Sequence, residues 1–86
     1  DPAVTLTIKY FARLREQLGS QEARPYSPGM TLGSLRDALI AEGGAHAQAL
    51  SRDAFLRAAR NQQMCAETEA LADGDEVAFF PPVTGG

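Results

Sequence analysis

The six residues Pro81-Pro82-Val83-Thr84-Gly85-Gly86 close this 86-residue chain and hold its most informative chemistry. Proline locks φ and has no N–H, so strand pairing must stop at Pro81-Pro82. The four residues beyond them extend by at most ~14 Å. Gly85 and Gly86 have no side chain, so the backbone can enter a channel that a Cβ would block. Gly86 then presents a carboxylate at the tip of a thin arm. Such a carboxylate becomes useful once another protein activates it with ATP, because the acyl-adenylate accepts a sulfur donor, a cysteine or a lysine. Frayed termini are also rich in glycine and proline. Context separates the two: an apolar strand ending in Phe79-Phe80, two prolines, then diglycine at the last position.

The other reactive side chains point to less. Cys65 is the only cysteine, which excludes an internal disulfide and any multi-cysteine metal site. It sits in an apolar segment near Glu67 and Glu69, a setting that raises a thiol pKa, so a buried structural part is expected rather than a nucleophile. His46, the only histidine, reads as a surface residue of a helical turn with no partner close in sequence. There is no Gly-x-x-x-x-Gly-Lys loop and no Gly-x-Gly-x-x-Gly, so no nucleotide phosphate is cradled here. Gly29 reads as a turn and Gly33 as a residue tolerated at a helix start. The expected inventory of cofactors and metals bound by this chain is empty.

Charge narrows the partners. Eight basic against eleven acidic residues give a net charge of −3, and Lys9 is the only lysine. That balance offers no cationic nucleic-acid face. The acids are unevenly spread: residues 61–86 hold five and no base. Glu67, Glu69, Asp73, Asp75 and Glu76 are therefore expected to dock against basic partners. No apolar run approaches the roughly 18 residues of a membrane span, and the expectation is a cytoplasmic protein.

Elements must now be found to position the arm. Of 38 hydrophobic residues 15 are alanine, leaving 22 larger apolar side chains, counting out Cys65. That fills one sheet packed on one or two helices, with little room for an enclosed active site. Residues 4–10 alternate, placing Val4, Leu6, Ile8 and Tyr10 on the inner face of a strand. Phe11, Leu14 and Leu18 recur at helical spacing before Gly19. Residues 22–26 read as a second strand, kept at an edge by Pro25. Thr31 is a plausible N-cap for a helix with Leu32, Leu35, Ala38 and Leu39 on its buried face, while Arg36, Asp37 and Glu42 point away. Gly43-Gly44 ends it, and a further short turn covers residues 45–50. Residues 56–60 and 63–66 read as strands around Asn61-Gln62. Asp73-Gly74-Asp75 turns into a last strand over 76–80. Strands that do not alternate regularly with helices predict an α+β fold. The expected division is a domain over 1–80 and a tail over 81–86.

The ending Asp73-Gly74-Asp75-Glu76-Val77-Ala78-Phe79-Phe80-Pro81-Pro82-Val83-Thr84-Gly85-Gly86 resembles that of the small, sulfur-carrying subunits of molybdopterin synthase (the MoaD type). Tyr10-Phe11-Ala12-Arg13-Leu14-Arg15-Glu16 and the helix after Thr31 also sit where that family has such segments. The resemblance implies a ubiquitin-like β-grasp fold, with a mixed sheet of about four to five strands on one main helix. It further implies that Gly86 is adenylated by an E1-like enzyme using ATP. A sulfurtransferase or cysteine desulfurase system would convert it to a thiocarboxylate. In this family the tail enters the large synthase subunit, in a heterotetramer of two of each, and gives its sulfur to cyclic pyranopterin monophosphate to build the molybdopterin dithiolene. Gly86 would carry the sulfur, Gly85 would give clearance, and Phe80, Pro81, Pro82, Val83 and Thr84 would dock the arm. The alternatives are a sulfur carrier for the thiazole of thiamine, a ubiquitin-like protein modifier, or an interaction domain with an incidental tail.

Overall fold

The computed structural model describes residues 5–53 and 55–81. In chain order these form β1 (Thr5–Tyr10), α1 (Arg13–Leu18), β2 (Gln21–Pro25), α2 (Leu32–Ala41), α3 (Gly44–Ala49), β3 (Arg57–Arg60), β4 (Gln63–Cys65) and β5 (Glu76–Phe80). The strands make one five-stranded sheet in the order β2-β1-β5-β3-β4. β1 and β5 run parallel at its centre, and the other pairings are antiparallel. This is the expected mixed sheet, with α2 as the main helix and two shorter helices beside it. Val4 and residues 82–86, hence the tail assigned to Pro82, Val83, Thr84, Gly85 and Gly86, lie outside the described residues.

Alternation in β1 does what its pattern predicts: Leu6, Ile8 and Tyr10 are buried and the residues between them are not. Val77 and Phe79 of β5 join them on the inner face, where the Tyr10 and Phe79 rings stack with centroids 6.5 Å apart. Leu32, Leu35 and Leu39 of α2 close this core from above, with Leu14, Leu50 and Leu71 filling its ends. Pro25 does sit on an edge strand, where its missing N–H costs no ladder bond.

Thr31 caps α2 as expected. Its Oγ1 accepts from the Ser34 N–H at 3.2 Å, and the Thr31 N–H donates to Ser34 Oγ at 2.9 Å. The next two N–H groups of the first turn, those of Leu32 and Gly33, donate to the Glu69 and Glu67 carbonyls. The segment between β4 and β5 thus lies directly across the start of the helix. Gly33 is there for closeness, since a Cβ on it would come within 3.3 Å of the Glu67 carbonyl oxygen.

Several boundaries and faces differ from the sequence reading. Ala38 is exposed and Arg36 is buried, at 4% of its surface, so the α2 face is rotated toward Arg36. Gly43 and Gly44 do end α2, but both take positive φ and lead straight into α3. Asn61 and Gln62, at φ 51° and 70°, form the tight turn between β3 and β4. The Asn61 side chain stitches that turn to β5, accepting from the Glu76 N–H and donating to Asp75.

Candidate functional site

β5 carries the chain to the root of the tail, and its outward residues define what surrounds that root. Register places Phe80 opposite Arg57 of β3, and Ala78 opposite both Ala59 of β3 and Lys9 of β1. Met64 of β4 continues the second row beyond Ala59. Because paired residues share a face, Lys9, Ala78, Ala59 and Met64 line up across the sheet side away from α2. Ala59 and Ala78 are small and nearly covered by their larger neighbours. Phe11 follows β1, donates its N–H to the Phe79 carbonyl, and meets Phe80 edge to face at 6.2 Å and 84°. Phe11 and Met64 are 46% and 52% exposed, so large apolar side chains stand uncovered on this face beside the charged Lys9 and Arg57. Phe80 and Pro81, the described part of the expected docking arm, are half-buried at its rim.

Beside β4 the same end of the sheet opens into a groove of about 420 Å³ lined by Phe55, Leu56, Arg57, Met64 and Cys65 among others. Phe55 is 70% exposed at its mouth. Cys65 is half-buried rather than fully buried, and packs against the core from β4. Burial pushes its thiol pKa up and Glu69 adds to this, against a smaller opposing pull from Arg60. Glu67, also expected to raise it, is instead turned to two arginines. A protonated thiol is a poor nucleophile, so Cys65 is chemically quiet at neutral pH.

Two polar clusters lie on the helix side. Glu22 accepts from the Tyr10 hydroxyl at 2.6 Å, from Arg24 at 2.8 Å, and faces His46 Nε2 at 2.8 Å. Arg24 also reaches Glu42. His46 therefore does not stand alone as expected: the fold brings it to a carboxylate 24 residues away in sequence. Desolvation works to raise the Glu22 pKa, but the hydrogen bonds from Tyr10, His46 and Arg24 win and hold it below the usual range. Burial and the Glu22 carboxylate push the Tyr10 hydroxyl well above its ordinary pKa. A carboxylate so fully occupied is a structural clasp and has little capacity left for acid–base work.

The second cluster centres on Arg36, whose Nε and Nη2 donate to the Leu50 and Ser51 carbonyls and whose Nη1 meets Glu67 at 2.7 Å. Glu67 is also held by Arg52, which reaches Asp37. The expected acidic docking face is altered by these contacts. Glu69 pairs with Arg60, Asp75 with Arg60 and Asn61, Glu76 with Lys9, and Asp73 accepts from the Thr5 N–H. Each of the five carboxylates has a partner within the fold.

Among the described residues no helix is long and apolar enough to cross a membrane, and no three His, Cys, Asp or Glu side chains converge as metal ligands. A family model described as the ThiS family matches residues 8–86. The chain belongs to the ThiS family. Within that family it is 41% identical over 81 residues to a protein of Escherichia coli named molybdopterin synthase sulfur carrier subunit, covering 94% of this chain and 99% of that one. The crystal structure of small archaeal modifier protein 1 from Haloferax volcanii superimposes with a TM-score of 0.75 at 34% identity, over 93% of this chain and 99% of that one. A protein–protein complex of subunits 1 and 2 of molybdopterin-converting factor from Helicobacter pylori contains a chain matching with a TM-score of 0.67 at 22% identity, over 95% and 99% of the two, which shows the shared fold. The ubiquitin-like β-grasp and the resemblance to molybdopterin synthase sulfur carriers are both borne out. In this ThiS-family chain the matched region runs to Gly86, through the whole of the expected arm.

Proposed function

We propose that this chain is the sulfur-carrier subunit of a molybdopterin synthase and that Gly86 is its reactive end. An E1-like enzyme joins the Gly86 carboxylate to the α-phosphate of ATP, releasing pyrophosphate. The persulfide of a sulfurtransferase or cysteine desulfurase system then displaces AMP, and a thiol reduces the resulting acyl disulfide, leaving a thiocarboxylate on Gly86 and a disulfide on the donor side. Inside the large subunit the thiocarboxylate sulfur passes to cyclic pyranopterin monophosphate, and two such transfers make the dithiolene. This chain binds no cofactor in that scheme; ATP belongs to the activating enzyme.

The observation that carries the reading is the near full-length relatedness to the Escherichia coli sulfur carrier, joined to the geometry of the tail root. β5 is clamped on both sides by β1 and β3, which fixes where the tail starts to within the rigidity of a sheet. Two prolines then stop further pairing, and glycines give a tip narrow enough for a channel. The open apolar face around Phe11, Phe80 and Met64 is a surface that a partner can cover while the tail enters it. Rigid scaffold and thin arm suit delivery of one reactive atom into another protein.

Intact mass of the chain after incubation with the activating enzyme, ATP and a sulfur donor tests this. The expected result is a gain equal to sulfur replacing oxygen at the C-terminus. A second reading, a protein modifier, is favoured by the likeness to the archaeal modifier; it predicts instead a ladder of conjugates joined through lysine. A carrier for thiamine thiazole would give the same mass gain, yet would fail to yield molybdopterin with the large subunit.

A further inference from the structure

Most cations of the chain are neutralised within it. Lys9, Arg24, Arg36, Arg52 and Arg60 all lie within ion-pair distance of a carboxylate. Among the described residues Arg13, Arg15 and Arg57 are not. Arg57 differs from the other two in its position. It is exposed, shares the outer sheet face with Phe80 directly across from it, and borders the groove mouth at Phe55. Arg13 is exposed at the start of α1, two residues after Phe11.

A partner that covers the apolar face must also remove water from the Arg57 guanidinium. Burying an unpaired charge is costly, and the cost is offset only if the partner brings an acceptor of opposite charge. We infer that Arg57, supported by Arg13, selects a protein partner whose docking surface sets a carboxylate beside an apolar centre. The inference rests on the reading of this face as the sulfur carrier's docking surface. It also reverses the sign suggested by the net charge of −3, because the five acids of residues 61–86 have partners within the fold while Arg57 beside the tail root does not.

The test measures association of the full chain with the molybdopterin synthase large subunit of the same organism, at low and at physiological ionic strength. Arg57→Glu is expected to weaken binding roughly tenfold at low salt, chiefly through slower association, with an unchanged thermal midpoint. Arg57→Leu should bind more weakly than the parent at low salt and show a flatter salt dependence, while Arg57→Lys should keep most of the affinity. Parent-like association of Arg57→Glu at low salt, or tighter binding by Arg57→Leu, overturns the inference. Intact mass after incubation with the activating enzyme and sulfur donor is read in parallel. Sulfur loading with parent-like Arg57→Glu binding sinks this inference and leaves the carrier reading standing. Neither loading nor binding by the parent chain sinks both.

Discussion

Phe11 and Phe80 meet edge to face at 6.2 Å, joining the end of β1 to the end of β5 at the point where the tail departs. Their neighbours Tyr10 and Phe79 stack one residue earlier on the opposite face of the same two strands. The two aromatic pairs differ in setting, one filling the core and the other standing on the outer face of the sheet. Phe79→Ala should cost roughly 3–5 kcal/mol, because that ring is buried in full. Phe80→Ala should cost less, roughly 1–2 kcal/mol from a half-buried ring and its edge-to-face contact, yet impair partner binding. Denaturant melts beside binding titrations separate them; equal destabilisation by both would refute the expected difference.

Adding one alanine after Gly86 should abolish acyl-adenylate formation and leave the melting temperature within the range of a surface change, about 0.5 kcal/mol. The extra residue shifts the reactive carboxylate by ~3.5 Å and places a Cβ in the path of the tip. Gly85→Val should act similarly through width. Adenylation at the parent rate by the extended chain would show that Gly86 is not the reactive end.

Cys65→Ala should leave sulfur loading and transfer largely intact. Its raised pKa keeps the thiol protonated, and the transferred sulfur resides at the tail in the proposed scheme. The check is the intact mass of the variant after loading, and loss of loading in a folded variant would place Cys65 in the chemistry.

Arg36→Ala should destabilise the domain by ~3 kcal/mol, since it strips the buried Leu50 carbonyl and the half-buried Ser51 carbonyl of their donor and releases Glu67. Chemical denaturation measures this. A cost near zero would mean that water replaces the guanidinium without penalty.

Acid should weaken the fold through Glu22 and Glu67. Both are held below the ordinary carboxylate range, against desolvation, by hydrogen bonds: Glu22 from Tyr10, His46 and Arg24, Glu67 from Arg52 and Arg36. A depressed folded pKa adds stability that is present above the unfolded value, about 4.3 for glutamate, and lost as pH falls through the folded one. Melting temperatures should therefore hold near neutrality and decline as pH drops below that unfolded value. Glu67→Gln should be less stable at pH 7 and flatter toward acid, and a steeper acid decline in that variant would contradict the assignment.

Strand β1, the Thr31 cap and the Asp73-Gly74-Asp75 turn were legible in the sequence, because alternation, capping and turn chemistry are set by residues within a few positions of one another. The diglycine arm was legible for the same reason: its meaning lies in contiguous residue types. His46, Arg36 and the acids of residues 67–76 were not, since their partners lie up to 68 residues away and only the packing of β1, β2, α3 and the segment between β4 and β5 brings them together. Arg36 was assigned to solvent because a polar side chain on a helix usually belongs there; burial won because two loop carbonyls and Glu67 supply acceptors that no local pattern records. Sheet order was decided in three dimensions too, as β5 must enter between β1 and β3 to bury Val77 and Phe79. Local sequence thus determined the elements and the diglycine ending, whereas long-range packing decided which charges are neutralised within the fold and which, like Arg57, are not.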